Sequence, residues 1–125
     1  MAYSFVRNQT VQCGGITNTF QKATSASQLL SLSESIADSA TLSAAITIDV
    51  SAIKGLMMSC DQNVTVDSNN GSQAAINLIA DIPYVWQTGD LDACLLTHDV
   101  TTLTVANSSG EAASFELRII TDATP

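Results

Sequence analysis

The chain has 125 residues, carries a net charge of −8 at neutral pH and contains only four Lys and Arg residues. A chain of this length is expected to form one domain that buries enough surface to fold without disulfides or metal ions. Nucleic acids and anionic membranes both require a basic surface, and four scattered cations cannot provide one, so we expect neither partner.

The start of the chain alternates apolar and polar residues, with the period of a β-strand. The apolar positions are Tyr3, Phe5, Val11 and Cys13. Gly14-Gly15 interrupts the pattern, and a second short strand is predicted over residues 16–22. An extended terminus with few core positions is free to reach a neighbour, so residues 1–10, and Tyr3 and Phe5 in particular, are candidate partner contacts. This segment has no apolar run of the kind found in signal peptides, so we expect synthesis in the cytoplasm.

Residues 27–45 fit two secondary structures. Leu29, Leu32 and Ile36 have the spacing of one helix face. Leu30 and Leu32 instead alternate as in a strand. The segment holds seven serines and threonines, which favour caps and turns over helix interiors. A strand followed by a loop is therefore the favoured interpretation, with a helix as the alternative.

Short strands are predicted through the middle of the chain, at residues 46–50, 53–60, 64–66, 74–80 and 84–87. Residues 53–60 are apolar almost throughout, which indicates a central strand buried on both faces. The Asn70-Gly71 dipeptide is a hairpin turn signal. It predicts that 74–80 pairs with 64–66, with Ile76 and Leu78 directed inward.

The clearest pattern lies in residues 100–120. Leu103 and Val105 alternate with threonines in its first half, and apolar residues alternate with polar ones over residues 113–119. The intervening Asn107-Ser108-Ser109-Gly110 has the composition of a turn. Residues 100–120 are therefore predicted to form an antiparallel hairpin with one face in a core.

About eight short strands separated by turn signals predict an all-β fold. The predicted architecture is a single-domain β-sandwich of antiparallel strands, of the jelly-roll kind. Residues 1–15 are assigned to an N-terminal strand or extended arm, and residues 16–125 to the β-sandwich domain.

No catalytic, cofactor-binding or metal-binding residue is predicted. His98 is the only histidine and lies beside Asp99, but adjacency in sequence does not create the geometry of a Ser-His-Asp triad. Asp90 and Asp92 are expected to be solvated carboxylates in a turn. The cysteines Cys13, Cys60 and Cys94 are odd in number and lack zinc-site spacing, so we expect buried free thiols.

Tyr84 and Trp86 form the one aromatic cluster. A spacing of two places both rings on the same face of a strand. Such a pair could stack on a sugar ring or anchor a protein partner, and both residues are therefore candidate binding residues. The alternative is that both rings belong to the core.

Several turn and strand motifs in residues 46–125 occur in a recognisable order. They are Ser59-Cys60-Asp61-Gln62, Ile82-Pro83-Tyr84-Val85-Trp86, Asp99-Val100-Thr101, the segment from Val105 to Gly110, and a final Leu-Arg-Ile strand. In this order the chain resembles small structural proteins of tailed bacteriophages, of the capsid decoration or cement type. The resemblance implies a β-sandwich without an active site or cofactor. It also implies a homotrimer on the virion capsid surface, with the major capsid protein as partner.

Two functions follow as hypotheses. The first is a non-enzymatic decoration protein that binds an assembled phage shell and stabilises it. The alternative is a carbohydrate- or receptor-binding β-sandwich module of a phage tail or fibre, with Tyr84 and Trp86 as its platform.

Overall fold

The computed structural model describes residues 3–69 and 74–122 of the chain. Its strands are Tyr3–Cys13 (β1), Ile16–Ala26 (β2), Gln28–Ile36 (β3), Thr41–Ile48 (β4), Ile53–Cys60 (β5), Val64–Ser68 (β6), Ile76–Leu78 (β7), Tyr84–Gln87 (β8), Val100–Ala106 (β9) and Ala113–Thr121 (β10). A short 3₁₀ turn at Val50–Ala52 precedes β5. The predicted all-β architecture is confirmed. The described part of the chain contains no helix long and apolar enough to cross a membrane.

Eight of the strands form two four-stranded sheets that pack face to face. The first sheet has the order β3-β10-β5-β8 and the second the order β4-β9-β6-β7, with every neighbouring pair antiparallel. Strands β1 and β2 pair only with each other, as a separate two-stranded hairpin. The molecule is thus an antiparallel β-sandwich with an additional N-terminal hairpin.

The core lies between the two sheets. Alternate residues of β10 point into it, and Phe115, Leu117 and Ile119 are almost completely buried. The first sheet adds Leu56 and Met58 of β5. The second sheet contributes Val64, Val66, Ile76, Leu78, Val100, Leu103 and Val105. Period-two alternation therefore gives each sheet one apolar inner face, as the sequence pattern predicted.

Most predicted strands are present. Residues 28–36 form a strand followed by a loop, so the favoured interpretation of residues 27–45 is confirmed and the helix is wrong. Strand β7 pairs with β6, and both Ile76 and Leu78 are buried, as expected. The Asn70-Gly71 turn signal lies outside the described residues.

The hairpin predicted over residues 100–120 is wrong in its pairing. Both of its strands exist, as β9 and β10, but they do not pair with each other. Strand β9 lies between β4 and β6 in the second sheet, and β10 lies between β3 and β5 in the first. The turn at residues 107–112 therefore carries the chain from one sheet to the other.

Candidate functional site

The N-terminal hairpin turns at Gly14-Gly15. Both glycines have positive φ, 58° and 84°, which is the requirement of a two-residue type I′ turn. The register pairs Cys13 with Ile16 and continues without a bulge to Tyr3 and Ala26. The predicted boundary between residues 15 and 16 lies inside this hairpin, because β2, which was assigned to the sandwich, pairs with β1 and with neither sheet.

The base of the hairpin lies on the outer face of the first sheet. The Phe5 ring covers Gly55 of β5 so closely that a Cβ added to Gly55 would lie 2.8 Å from the Phe5 Cγ. Beside it, the buried Gln87 side chain donates through Nε2 to the carbonyl oxygens of Phe5 (3.1 Å) and Lys22 (3.2 Å) and to the Thr24 hydroxyl (3.2 Å). These contacts hold both strands of the hairpin against β5 and β8.

Asp90 fixes the hairpin where it leaves the sheet. Arg7 donates two hydrogen bonds to its carboxylate, at 2.7 and 2.9 Å, and the Lys22 ammonium donates a third at 2.9 Å. The backbone N–H of Gln87 donates a fourth, also at 2.9 Å. The Asp90 side chain is only 14% exposed. The expectation of a solvated turn carboxylate is therefore wrong for Asp90.

The Arg7–Lys22–Asp90 cluster explains how two cations can face each other in the hairpin. Arg7 and Lys22 are paired across β1 and β2, and like charges in that position repel. The shared carboxylate of Asp90 removes the repulsion. Its hydrogen bonds from Arg7, which outweigh the opposing effect of burial, hold the pKa of Asp90 well below its usual range. The same contact raises the pKa of the Arg7 guanidinium.

Gly55 gives a test of this docking. Replacing Gly55 with Ala is expected to lower the free energy of unfolding by about 1–3 kcal/mol, because the new methyl group collides with the base of the Phe5 ring. In a strand, Gly to Ala would otherwise be neutral or favourable. Urea denaturation measures the effect, and hydrogen exchange of the β1 and β2 amides shows whether the hairpin has moved.

The same substitution in a Phe5→Ala background is the control. Without the ring, the two closest contacts of the methyl group added at position 55 are lost and only the Cβ of residue 5, at 3.1 Å, remains, so we expect most of the destabilisation by Gly55→Ala to disappear. An equal loss of stability in both backgrounds would show that Gly55 is needed for something other than the hairpin.

The outer part of the hairpin, residues 8–21, extends beyond these contacts. Every residue in it is exposed, and none carries a charge. Its apolar side chains include Val11, Ile16 and Phe20, which are 44%, 66% and 58% exposed. We call residues 8–21 the outer hairpin. A lone two-stranded ribbon is marginally stable in water, so an apolar, uncovered ribbon is a candidate interface.

Tyr84 and Trp86 lie on β8, at the edge of the first sheet. Each pairs with a core residue of β5, Met58 and Leu56 respectively, and both rings are half-buried against the core. The polar atoms of both rings have partners within the chain. Tyr84 Oη accepts from the Leu95 N–H at 2.9 Å, and Trp86 Nε1 donates to a backbone carbonyl oxygen at 2.9 Å. Burial raises the pKa of the Tyr84 phenol to about 12.

A groove of about 690 Å³ runs along these two aromatic residues. It is lined by Arg7, Tyr84, Val85, Trp86, Asp90, Leu91, Asp92, Ala93 and Leu95. Leu91 is fully exposed in it, and Leu95 is about half exposed. We call this feature the β8 groove. It begins beside the ion cluster at the base of the hairpin.

The four predicted binding residues do not form one site. Phe5 lies on the outer face of the first sheet, whereas Tyr84 and Trp86 pack toward the core side of β8. Tyr3, which is 37% exposed, lines a separate cleft with Leu29 and other residues near the start of β3. The structure thus separates an N-terminal contact, through Phe5, from an aromatic groove.

The cysteines differ from one another. All three thiols are free, but only Cys60 is buried, so the expectation of buried thiols is wrong for Cys13, which is exposed at the hairpin turn. Cys94 is half-buried, and burial raises the pKa of its thiol. Within residues 3–69 and 74–122, no three His, Cys, Asp or Glu side chains gather as metal ligands.

A scan against protein-family models and searches of curated proteins and of solved structures found no match to this chain.

The hairpin contacts were missed in the sequence, although one signal was available. A two-residue turn at Gly14-Gly15 places Arg7 opposite Lys22, and two facing cations favour a nearby carboxylate. The identity of that carboxylate, Asp90, is not indicated by any local pattern. Neither are the roles of Gly55 and Gln87.

Proposed function

We propose that this chain is a non-enzymatic structural protein of a virion, a bacteriophage capsid decoration or cement protein that binds the assembled shell as a homotrimer. The observation that carries the proposal is the anchored, uncharged outer hairpin, whose uncovered apolar side chains suit a contact with another protein chain, within the trimer or on the shell. The sequence resemblance described above points to the same class. The major capsid protein is the proposed partner, and the capsid surface is the proposed location.

The order of the strands in the two sheets also supports the proposal. The eight strands from β3 to β10 form one sheet with the order β3-β10-β5-β8 and a second with the order β4-β9-β6-β7. We propose that this is a jelly roll, an eight-stranded arrangement that occurs in viral capsid and lectin domains. Because one fold serves many functions, this likeness is an analogy, and the outer hairpin carries the functional argument.

The proposed mechanism is stabilisation by mass action. A protein that binds the assembled shell and not its separated subunits shifts the equilibrium toward the shell. Several copies joined in an oligomer gain avidity, because the second contact is made at a high effective concentration. Such a function needs an interface that is already ordered. The contacts of Asp90, Gln87 and Gly55 provide that order at the base of the hairpin.

The contacts made by two of the acidic side chains, Asp99 and Asp90, suit a non-enzymatic protein. The Asp99 carboxylate accepts a hydrogen bond from the Val50 N–H at 3.0 Å. This bond connects the residue before β9 to the 3₁₀ turn before β5. Asp90 is committed to Arg7 and Lys22. These acids hold the fold together through contacts that suit a structural role.

The alternative is a carbohydrate- or receptor-binding module of a tail or fibre. The β8 groove favours it, since Tyr84 and Trp86 line a concave surface wide enough for a sugar ring. The Trp86 N–H is donated to a backbone carbonyl oxygen and the Tyr84 hydroxyl already accepts from a backbone N–H, so ring faces and edges are the main surface that remains for a ligand. This weakens the alternative relative to the decoration proposal.

Copy number in purified particles of a phage that encodes the chain separates the two proposals. We expect a copy number comparable to that of the major shell protein, measured by quantitative mass spectrometry. A handful of copies per particle would place the chain in a tail and favour the binding module. Its absence from particles would contradict both. Trp86 fluorescence in the presence of glycans gives an independent check, since only the alternative predicts a shift.

A further inference from the structure

The outer hairpin has one apolar face and one polar face. The register places Val11, Cys13, Ile16 and Phe20 on the same face, together with the polar residues Gln9 and Asn18. The opposite face carries pairs such as Thr10–Thr19 and Asn8–Gln21. This separation of apolar and polar residues is typical of a strand pair with one face covered by protein and the other in water.

The apolar face continues an interface that the chain already makes. Phe5, Arg7 and Lys22 belong to the same face of the hairpin, and they contact the first sheet and Asp90. Beyond Arg7, from residue 8 to residue 21, every residue of the hairpin is exposed, so this face continues without cover. At about 3.3 Å per residue, the six residues from Asn8 to Cys13 extend about 20 Å further.

The distribution of charge indicates what covers it. All 12 acidic residues lie in residues 27–125, which have a net charge of −10, whereas residues 1–26 contain no acid and have a charge of +2. A basic partner would be attracted to the acidic sandwich rather than to an uncharged ribbon. A second copy of this chain is repelled by the acidic sandwich, and it meets no repulsion at the outer hairpin.

The β8 groove offers a matching surface on that second copy. Its exposed apolar residues, Leu91 and Leu95, lie beside Trp86. The charge of Asp90 in its wall is balanced by Arg7 and Lys22, and the exposed Asp92 is the other acid in the lining. Because the outer hairpin of the other copy carries no charge, it can approach this groove without repulsion.

We infer that the outer hairpin of one copy docks, by the face that carries Val11, Ile16 and Phe20, in the β8 groove of a second copy. The contact joins different surfaces on the two copies, so it is heterologous and closes when the copies form a ring. The inference rests on the proposed homotrimer and specifies the surfaces that build it. Because the hairpin base is held by its own sandwich, only residues 8–21 have to be ordered on association.

Sedimentation velocity of the isolated full-length chain over a range of concentrations tests the inference. We expect an oligomer that the double variant Ile16→Thr/Phe20→Thr converts to a monomer, with self-association weakened about 100-fold. Leu91→Thr, in the groove, is expected to have the same effect. Threonine keeps the strand propensity of the hairpin positions. The matched control is Ile79→Thr/Ile82→Thr, since these residues are 57% and 59% exposed but lie on neither surface.

A mixture of the hairpin variant and the groove variant gives the sharpest result. Each retains the surface that the other lacks, so the mixture is expected to form a dimer that grows no further. The inference is overturned if the wild-type chain is a monomer at every soluble concentration. It is also overturned if the hairpin variant keeps the wild-type mass, or if the control variant dissociates equally.

Cross-linking covers the case in which a variant fails to fold. Cys13 lies on the apolar face and is exposed, and Cys94→Ser removes the other thiol that is not fully buried. A benzophenone attached to Cys13 in a mixture of isotopically heavy and light copies should cross-link to residues 84–95 of the other copy. Cross-links confined to one copy would contradict the inference. No shell is present in these experiments, so failure of the capsid proposal would leave their outcome unchanged.

Discussion

Replacing Asn107 with Ala is expected to lower the free energy of unfolding by roughly 3–5 kcal/mol, because buried polar groups lose their partners. The Asn107 side chain is 2% exposed. Its amide donates to the carbonyl oxygens of Ile36 (3.0 Å), Ala37 (3.3 Å) and Glu111 (2.8 Å). Its oxygen accepts from the N–H and the hydroxyl of Ser109, at 3.1 and 2.7 Å. A shift of the urea midpoint at constant m measures the loss.

Two variants make the Asn107 result specific. Asn107→Asp retains the acceptor for Ser109 but removes the donor to three carbonyl oxygens. We therefore expect it to be nearly as destabilising as Asn107→Ala. Ser108→Ala changes an exposed neighbour in the same turn, and we expect it to change stability by less than about 0.5 kcal/mol. A loss below about 1 kcal/mol for Asn107→Ala would show that water replaces the amide at this corner.

Replacing Asp90 with Ala is expected to release the hairpin from the sandwich. Arg7 and Lys22 would face each other without a counterion, and docking of the hairpin should weaken by about 2–3 kcal/mol. Hydrogen exchange should show faster exchange of the β1 and β2 amides, with those of β5 and β10 unchanged. The fluorescence of Trp86 should also respond, since this residue shares the β8 groove with Arg7 and Asp90.

Asp92→Ala is the matched control for Asp90. It removes an exposed carboxylate two positions away and leaves the backbone carbonyl oxygen of residue 92 to accept the Trp86 N–H. The triple variant Arg7→Met/Lys22→Met/Asp90→Leu should recover part of the docking, because it removes both the charges and the repulsion. Fast exchange of the amides at the hairpin base, in residues 3–7 and 22–26, already in the wild-type protein would contradict the assigned role of Asp90.

The same cluster predicts a dependence of hairpin docking on pH. The pKa of Asp90 is lower in the folded state than its ordinary value, mainly through the hydrogen bonds from Arg7. Its contribution is therefore fully present above the ordinary range of an aspartate, and it is lost as the pH falls through the folded-state value. Protection of β1 and β2 should fall in strong acid and be constant near neutral pH. The Asp90→Ala variant should lack this acid-dependent loss of protection.

The predictions for Asn107 and Asp90 concern the two features that local patterns did not show. Asn107 belongs to a segment that has the composition of a hairpin turn, yet it holds a crossing between sheets through Ile36 and Ala37. Asp90 belongs to a polar turn after β8, yet its partners lie 83 and 68 residues earlier in the chain. In both cases the sequence pattern correctly placed the residue in a turn, but it did not indicate the distant partners of the side chain.

The hairpin and the aromatic strand show how far local patterns extend. Alternation at Tyr3 and Phe5 and the break at Gly14-Gly15 placed β1 correctly, and Tyr84–Gln87 was predicted with the bounds of β8. Whether Tyr84 and Trp86 face a ligand or the core depends on the position of β8 at the edge of its sheet. That position is a property of the strand order, so the sequence left both alternatives open.

The sequence by itself determined the all-β class, most strand positions and the apolar face of each strand, because alternation and turn chemistry depend on neighbours in the chain. Only the tertiary structure decided that β9 and β10 belong to different sheets and that β1 and β2 stand apart as a hairpin. The physical reason is that a strand presents the same backbone donors and acceptors to any partner. Its apolar face is buried equally well by either sheet, so the partner is chosen by the packing of the whole chain.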